Sequence, residues 1–247
     1  MAKAYRARCL VLDKTKLGET DSILTMLAED GRQIRAVAKG LRRPGSRFGA
    51  RLEPFSVVDV LLHPGRSLDV VGECRCEVTN AACREGLERP CACAVIAEFL
   101  EKLTRDGALS GERVFPLTCV AFAAIGQGTP QDAGLYAAAH LFKAMAMQGL
   151  RPAIHECALC GEPVERAERF DVSAGGALCA SCARDSGTGS VDALLVSWVD
   201  VLLRSTFAEL AEAQGAPVRP LLDLCDSWAR EHLSVNLRSM PFLKTLY

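Results

Sequence analysis

The sequence predicts an α+β protein, in which an N-terminal OB-type β-barrel is followed by an α-helical domain with an inserted four-cysteine module. Three observations predict this fold class. Five strand-like runs separated by turn residues lie between residues 5 and 78. Apolar residues recur at helical spacing after about residue 80. Two Cys-x-x-Cys pairs then interrupt the helical pattern.

The barrel is predicted from short β-type runs joined by turns. Asp30-Gly31 is a strong hairpin signal, and the run after it alternates apolar Ile34, Ala36 and Ala38 with other residues. Five strands with one longer central connection suit an OB barrel, although an SH3-like barrel fits the strand count nearly as well. The predicted strands are Tyr5–Asp13, Asp21–Glu29, Arg32–Lys39, Phe55–Leu62 and Leu68–Val78.

The helical domain is predicted from apolar spacing. Val95, Phe99 and Leu103 recur four residues apart, and the pattern returns at residues 137–147, 191–213 and 220–233. We therefore expect an OB-fold nucleic-acid-binding domain at residues 1–79 and a helical domain at residues 80–247.

The two cysteine pairs carry the most specific chemistry in the chain. Cys157 and Cys160 are separated by 18 residues from Cys179 and Cys182, which matches the spacing of a tetrahedral zinc site. Two redox pairs are the alternative, but neither pair lies in the βαβ setting of such motifs. The spacing predicts one structural Zn²⁺ in a module at residues 155–184, because four thiolates leave no open coordination position.

Composition narrows the class of protein. The chain has 247 residues with 49% apolar and 24% charged residues, which is typical of a globular protein. No apolar stretch is long enough to span a membrane, and the N-terminus lacks the apolar stretch of a signal peptide. We therefore expect a cytoplasmic protein whose remaining eight cysteines are free thiols.

The charge distribution indicates a polyanionic partner. Residues 1–52 contain twelve Lys or Arg against five acids, a local net charge of +7, whereas the rest of the chain carries −8. Such a basic end on a neutral protein favours nucleic-acid binding. The residues expected to contact phosphates lie on one strand end and the following loop: Arg35, Lys39, Arg42, Arg43, Arg47 and Arg51.

The few aromatic residues of the barrel indicate how a strand would be held. Tyr5, Phe48 and Phe55 are the aromatic residues among the first 78, and we expect Phe55 to face the core. A ladder of stacking platforms is therefore absent from this part of the sequence. The pattern predicts a protein that holds phosphates and leaves bases exposed, as strand annealing requires.

The sequence offers little support for an enzyme. Gly40 to Arg47 imitates a phosphate-binding loop, but Ser46 stands where the motif needs lysine. His155-Glu156 begins like a zinc-protease motif, but Leu159 replaces the second histidine. We therefore predict a non-enzymatic protein. A zinc-ribbon adaptor that binds proteins without direct DNA activity is the main alternative, and a transferase or nuclease with an unrecognised site is another.

The chain resembles the RecO family of bacterial recombination mediators over nearly its whole length. The resemblance lies in the order of several short segments: Lys16-Leu17-Gly18-Glu19, Val37-Ala38-Lys39-Gly40, Arg42-Arg43, Ser46-Arg47, Leu52-Glu53-Pro54-Phe55, Cys160-Gly161, Phe170, Gly175-Gly176, Cys179, His232-Leu233, Leu237-Arg238-Ser239 and Phe242-Leu243.

This resemblance implies a role in DNA repair and homologous recombination. It implies binding to single- and double-stranded DNA, annealing of complementary strands, and cooperation with RecR to load RecA onto DNA coated by single-strand-binding protein. The acidic, Phe-ended tail of single-strand-binding protein would need an apolar pocket edged by basic residues. Arg204, Arg230 and Arg238 lie on C-terminal segments and are the candidates for this partner site.

Overall fold

A closed five-stranded barrel forms the N-terminal part of the chain. The computed structural model describes residues 3–105, 111–165, 167, 169–185 and 193–247. The barrel strands are β1 (Tyr5–Leu17), β2 (Asp21–Ala28), β3 (Gln33–Ala38), β4 (Val57–His63) and β5 (Asp69–Val78). Their order around the barrel is β1-β2-β3-β5-β4, with a parallel contact between β3 and β5. The predicted OB-like barrel is confirmed.

Strand β1 is longer than the sequence predicts. We expected it to end at Asp13, but it continues to Leu17. A register shift between Val11 and Asp13 interrupts its pairing with β2, as a bulge does. This irregularity bends the strand, so that its first half pairs with β4 and its second half with β2. Hairpin pairing with β2 thus gives the polar residues 14–16 a ladder partner that their composition did not indicate.

Strand β3 shows the alternation expected of a half-buried strand. Ile34, Ala36 and Ala38 point into the barrel core and are 5% exposed or less. Arg35 and Lys39 lie on the opposite face and are exposed. Because successive side chains alternate between faces, both cations project from the outer wall of the barrel.

The second part of the chain is helical, as predicted. Helix α3 is central: it is buried on all sides and packs against helices that precede and follow it in the chain. Its many alanines allow this close approach. The predicted run 191–213 begins outside the described residues and divides into α5 and α6, where Thr206 caps α6. The helices are α1 (Glu88–Thr104), α2 (Gly111–Gln127), α3 (Ala133–Met147), α4 (Ala180–Asp185), α5 (Ala193–Arg204), α6 (Phe207–Ala211), α7 (Val218–Leu233) and α8 (Met240–Lys244).

A small module lies between α3 and α5. It contains the hairpin of β6 (Arg169–Asp171) and β7 (Gly176–Leu178), followed by α4. Gly176 lies against the preceding chain, where an added Cβ atom would stand 2.2 Å from the carbonyl oxygen of Ala153. The Ala177 amide donates to that same oxygen at 2.7 Å. Glycine is therefore required where the hairpin crosses residue 153.

The barrel and the helical domain share one hydrophobic core. Leu10, Leu12 and Leu27 of the barrel belong to the same buried cluster as α1 and α3. Phe55 joins this cluster, and its ring meets that of Phe122 edge-on at 5.3 Å. Within the described ranges, no helix has both the length and the apolar character needed to cross a bilayer.

Candidate metal centre and nucleic-acid interface

The four motif cysteines meet at one point of the inserted module. The Sγ atoms of Cys157, Cys160, Cys179 and Cys182 all lie within 4.8 Å of one another. The Sγ atoms of Cys160 and Cys179 are 3.7 Å apart. A tetrahedral zinc ion with Zn–S bonds of about 2.3 Å needs neighbouring sulfurs about 3.8 Å apart. The cluster therefore fits a single tetrahedral ion and can hold a metal.

The first knuckle is shaped to stabilise thiolate. The backbone N–H of Cys179, together with those of Cys160 and Leu159, lowers the pKa of Cys157 to about 6. Gly161 follows with a left-handed φ of 75°, and its amide donates to the Cys157 carbonyl at 2.9 Å. The knuckle thus directs backbone donors at the sulfurs, as in a metal-binding turn.

In the second pair, the pKa of Cys179 is also lowered, and the largest cause is its hydrogen bond with the Ser181 hydroxyl. The pKa of Cys182 is raised to about 12, chiefly by its hydrogen bonds to Cys179 and Cys160. Protons and a metal ion therefore compete for the same four sulfurs.

The module is attached to the helical domain through α7. Phe170 of β6 packs against Trp228, with ring centroids 5.8 Å apart. His232 lies over the same indole at 4.3 Å and contacts the Val172 carbonyl at 2.8 Å. Hence the β6–β7 hairpin of the cysteine module is anchored on a buried tryptophan, whose fluorescence can report on the attachment of the module.

The other cysteines show no sign of a second metal site. Among the residues that the structure describes, no further group of His, Cys, Asp or Glu is arranged to hold an ion. Cys9, Cys83, Cys93 and Cys225 are buried, as small hydrophobic residues are. Burial raises the pKa of Cys9 to about 12, which keeps this thiol protonated.

The six predicted DNA-contacting residues are all exposed, and we call them the cationic surface: Arg35, Lys39, Arg42, Arg43, Arg47 and Arg51. None of the six makes an ion pair with a carboxylate in the described part of the chain. Their contacts are to neutral groups. Arg42 donates to the Gly18 carbonyl at 3.2 Å, Arg51 donates to the Arg47 carbonyl at 3.1 Å, and Arg47 lies 4.8 Å above the Phe48 ring.

Four other basic residues of the barrel are paired with acids. Arg6 pairs with Asp59 and Glu73 at 2.5 and 2.8 Å. Arg32 pairs with Asp30 at 2.8 Å. Arg8 and Lys14 are paired in the same way. Among the exposed cations of the barrel domain that have no ion-pair partner in the described residues, six therefore lie on the β3 end and the following loop, and Lys3, Lys16, Arg66 and Arg75 lie elsewhere.

Lys16 belongs beside the cationic surface, although we did not select it from the sequence. It is exposed on β1, faces Ser22 across the ladder, and has no ion-pair partner among the described residues. Lys16 belongs to the basic N-terminal segment of the sequence. Because the predicted β1 ended at Asp13, Lys16 was expected in a turn, and the sequence did not indicate that it would lie on a strand paired with β2.

No aromatic side chain of the barrel is available for base stacking. Phe48 and Phe55 are buried at 2% and 7% exposure. Tyr5 is half-buried, and its hydroxyl donates to Asp69 at 2.5 Å. The cationic surface therefore offers exposed Lys and Arg side chains, which suit contacts to phosphates, and no aromatic ring for contacts to bases.

The three candidate partner-site arginines lie in different surroundings. Arg204 contacts Asp200 and His155, each at 2.7 Å, and Arg230 pairs with Asp226. The Arg238 side chain is exposed without an ion pair to any described residue, at the edge of a cavity of about 440 Å³. The structure does not unite the three in one cavity. The cavity beside Arg238 is lined by Leu12, Asp13, Pro54, Phe55, Ala94, Ala97, Glu98, Glu101, Arg238 and Ser239.

Family models match both parts of the chain. The model described as Recombination protein O N terminal matches residues 1–78, which include the barrel. The model described as Recombination protein O C terminal matches residues 84–241, which include the cysteine module and most of the helical domain. The resemblance inferred from the sequence motifs is thereby confirmed. The chain belongs to the RecO family, whose members are mediators of DNA repair and recombination.

Proposed function

We propose that this RecO-family protein binds single- and double-stranded DNA through the cationic surface and anneals complementary strands. We further propose that it acts with RecR to load RecA onto DNA coated by single-strand-binding protein. In this proposal, residues 1–79 supply the DNA contacts. Residues 80–247 supply partner contacts, with the metal module at residues 155–184.

The partition of charge within the barrel carries the DNA-binding proposal. Arg6, Arg8, Arg32 and Lys14 have acidic partners, whereas the six residues of the cationic surface have none among the described residues. Unpaired exposed cations gain most from a polyanion, because phosphate contacts release counterions without breaking an existing ion pair. Because six such cations follow one another along β3 and the loop after it, this side of the barrel is the favoured phosphate-binding surface.

The lack of accessible aromatic rings on the described barrel supports annealing in preference to tight sequestration of single strands. A surface that contacts only phosphates reduces the repulsion between two strands and leaves the Watson–Crick edges free. Nothing in this scheme requires a bond to be made or broken, so we expect annealing to proceed without ATP.

We propose that the metal is a single Zn²⁺ with a structural role. Four thiolates at tetrahedral spacing are a preferred zinc ligand set, and they leave no position for substrate or water. In the bound state the ion would tie the two knuckles and the β6–β7 hairpin into one unit. Cys157, Cys160, Cys179 and Cys182 would be its ligands.

Arg238 is the favoured contact for the tail of single-strand-binding protein. Its cavity has an apolar wall that includes Leu12, Pro54 and Phe55, and the arginine lies at its edge. This combination suits the terminal aromatic side chain of such a peptide, whereas Asp13, Glu98 and Glu101 in the same lining oppose its carboxylates, so Arg238 would be its one basic contact in this cavity. Arg204 and Arg230 are already paired with acids, so they are less suited to this role.

An annealing assay tests the proposal. Complementary oligonucleotides, one of them fluorescent, are mixed with the protein without ATP, with and without single-strand-binding protein. We expect faster duplex formation in both conditions. In a separate assay with RecA, ATP and single strands coated by single-strand-binding protein, we expect RecA loading only when RecR is added. A folded protein that binds no DNA at low salt would instead favour the alternative of a zinc-ribbon adaptor.

A further inference from the structure

The β1–β2 turn is hydrogen-bonded to the start of the loop after β3, residues 39–51, which we call the cationic loop. The carboxylate of Asp21, the first residue of β2, accepts from the Gly40 backbone amide at 2.7 Å. The Arg42 amide donates to the Thr20 carbonyl at 2.9 Å, and the Arg42 side chain donates to the Gly18 carbonyl at 3.2 Å. Three contacts therefore fix how the loop leaves β3.

Asp21 is an acid surrounded by cations that it does not neutralise. The Gly40 amide and the Thr20 hydroxyl lower the pKa of Asp21, and Arg43 and Lys39 lower it further. No basic side chain of the described residues forms an ion pair with it. The carboxylate is therefore ionised at neutral pH and occupied by backbone and hydroxyl donors.

A negative charge at this place has two opposed effects on a polyanion. It repels phosphates that approach Arg43 and Lys39, which weakens binding. It also accepts a charge-assisted hydrogen bond from the loop backbone, which holds Gly40 in its left-handed conformation with a φ of 67°. A fixed loop loses less conformational entropy when its side chains contact a ligand.

We infer that Asp21 is a positioning residue of the DNA interface, which holds the first turn of the cationic loop so that Arg42 and Arg43 bind the same phosphate chain as Lys39. This inference rests on the proposed DNA binding and assigns a role within that site. The role of Asp21 is indirect, because its carboxylate repels the ligand that it helps the loop to bind.

Glu19 provides a matched control for the charge. It is exposed in the same turn, two residues before Asp21, and makes no hydrogen bond or ion pair to any described residue. Glu19→Ala and Asp21→Ala each remove one negative charge from the turn. Only Asp21→Ala removes the acceptor of the Gly40 amide, while Asp21→Asn removes the charge and keeps an acceptor oxygen.

The experiment measures binding of a fluorescent single-stranded oligonucleotide to the full chain at low salt. Glu19→Ala and Asp21→Asn should bind about twofold more tightly than the wild type, because one weakly screened repulsion is lost. Asp21→Ala should bind roughly fivefold more weakly than Asp21→Asn, because the loop is released. If Asp21→Ala binds as tightly as Glu19→Ala, or if Asp21→Asn is as weak as Asp21→Ala, the inference is wrong.

Hydrogen exchange of the Gly40 amide tests the loop without DNA. Protection should be lost in Asp21→Ala and kept in Asp21→Asn and Glu19→Ala; equal protection in all of them would overturn the inference. Should Asp21→Ala fail to fold, Asp21→Ser replaces it, since its hydroxyl is too short to reach the amide. Failure of the wild type to bind DNA would instead refute the proposed function, and that outcome is seen before any variant is compared.

Discussion

We expect the salt dependence of DNA binding to report how many phosphates the cationic surface contacts. Each contact with a single strand adds about −0.7 to the slope of log K against log salt, so six contacts give roughly −4. Between 50 and 200 mM salt, this slope lowers affinity about 300-fold. The value follows from six exposed side chains, none of which pairs with an acid in the described ranges.

Replacement of Arg42, Arg43 and Arg47 by alanine should halve that dependence. Three remaining contacts give a slope of about −2, and the same change of salt then lowers affinity only about 20-fold. The fold should tolerate the change. The lost contacts are one bond from Arg42 to the Gly18 carbonyl and the stacking of Arg47 on Phe48.

Fluorescence anisotropy with a labelled oligonucleotide at four or five salt concentrations measures both slopes. The double variant Arg6→Ala with Arg32→Ala is the matched control, because both arginines are already paired with exposed acids. Surface pairs of this kind contribute little to stability, so the control should fold and keep the wild-type slope. An unchanged slope in the triple variant, or an equal fall in the control, would refute phosphate binding at this surface.

Three further predictions concern stability. Cys160→Ser or chelation should release one zinc ion per chain, lower the melting temperature and shift the fluorescence of Trp228, which packs against the cysteine module. Phe55→Ala should destabilise the protein by about 3 to 4 kcal/mol in urea unfolding, because the lost ring joins the barrel to the helical core. Burial lowers the pKa of His140 to about 3. The folded state therefore loses stability as pH falls from about 6.5 towards 3, by at most about 1.4 kcal/mol per pH unit, and His140→Gln should reduce that loss.

Each of these predictions has a result that would contradict it. A purified protein without zinc, with four reactive thiols in the module, would exclude the metal. A Phe55→Ala variant as stable as an exposed-site control such as Leu17→Ala would show that the shared core does not depend on this ring. Parallel acid-unfolding curves for wild type and His140→Gln would assign the acid sensitivity to other groups.

The cysteine cluster was predictable from the sequence because its chemistry is local. Each Cys-x-x-Cys pair lies within one turn, and the hairpin between the pairs contains Gly175 and Gly176, which allow the chain to return. Spacing alone therefore indicated that all four sulfurs would meet. In the same way, the alternation of Ile34, Ala36 and Ala38 predicted the buried face of β3.

The charge partition was not predictable, because it depends on contacts distant in sequence. Arg6 pairs with acids 53 and 67 residues further along the chain, whereas Arg35 finds none among the described residues. The sequence shows both as basic residues in β-type runs. Only the barrel topology, which places β4 beside the start of β1 and β5 next to β4, separates paired from unpaired cations.

For Phe55, the sequence predicted that the side chain is buried but not which core surrounds it. We expected a buried side chain, and it is buried, but in the core shared with the helical domain rather than inside the barrel. Its φ of 72° is unusual for a bulky residue, and the sequence around it did not indicate this left-handed backbone conformation. The Asn80 side chain, which donates to the Phe55 carbonyl at 2.8 Å, helps to hold this conformation from outside the barrel.

The burial of both phenylalanine rings of the barrel segment bears on how two strands would find their correct alignment. With Phe48 and Phe55 buried, the cationic surface would, in the proposed function, hold a nucleotide chain only along its repeating sugar–phosphate backbone. Because the sugar–phosphate backbone repeats with every nucleotide, the bound strand could shift by one nucleotide at little cost in binding free energy. Wrong registers can then be sampled and abandoned without release into solution, and the final alignment is chosen by base pairing itself.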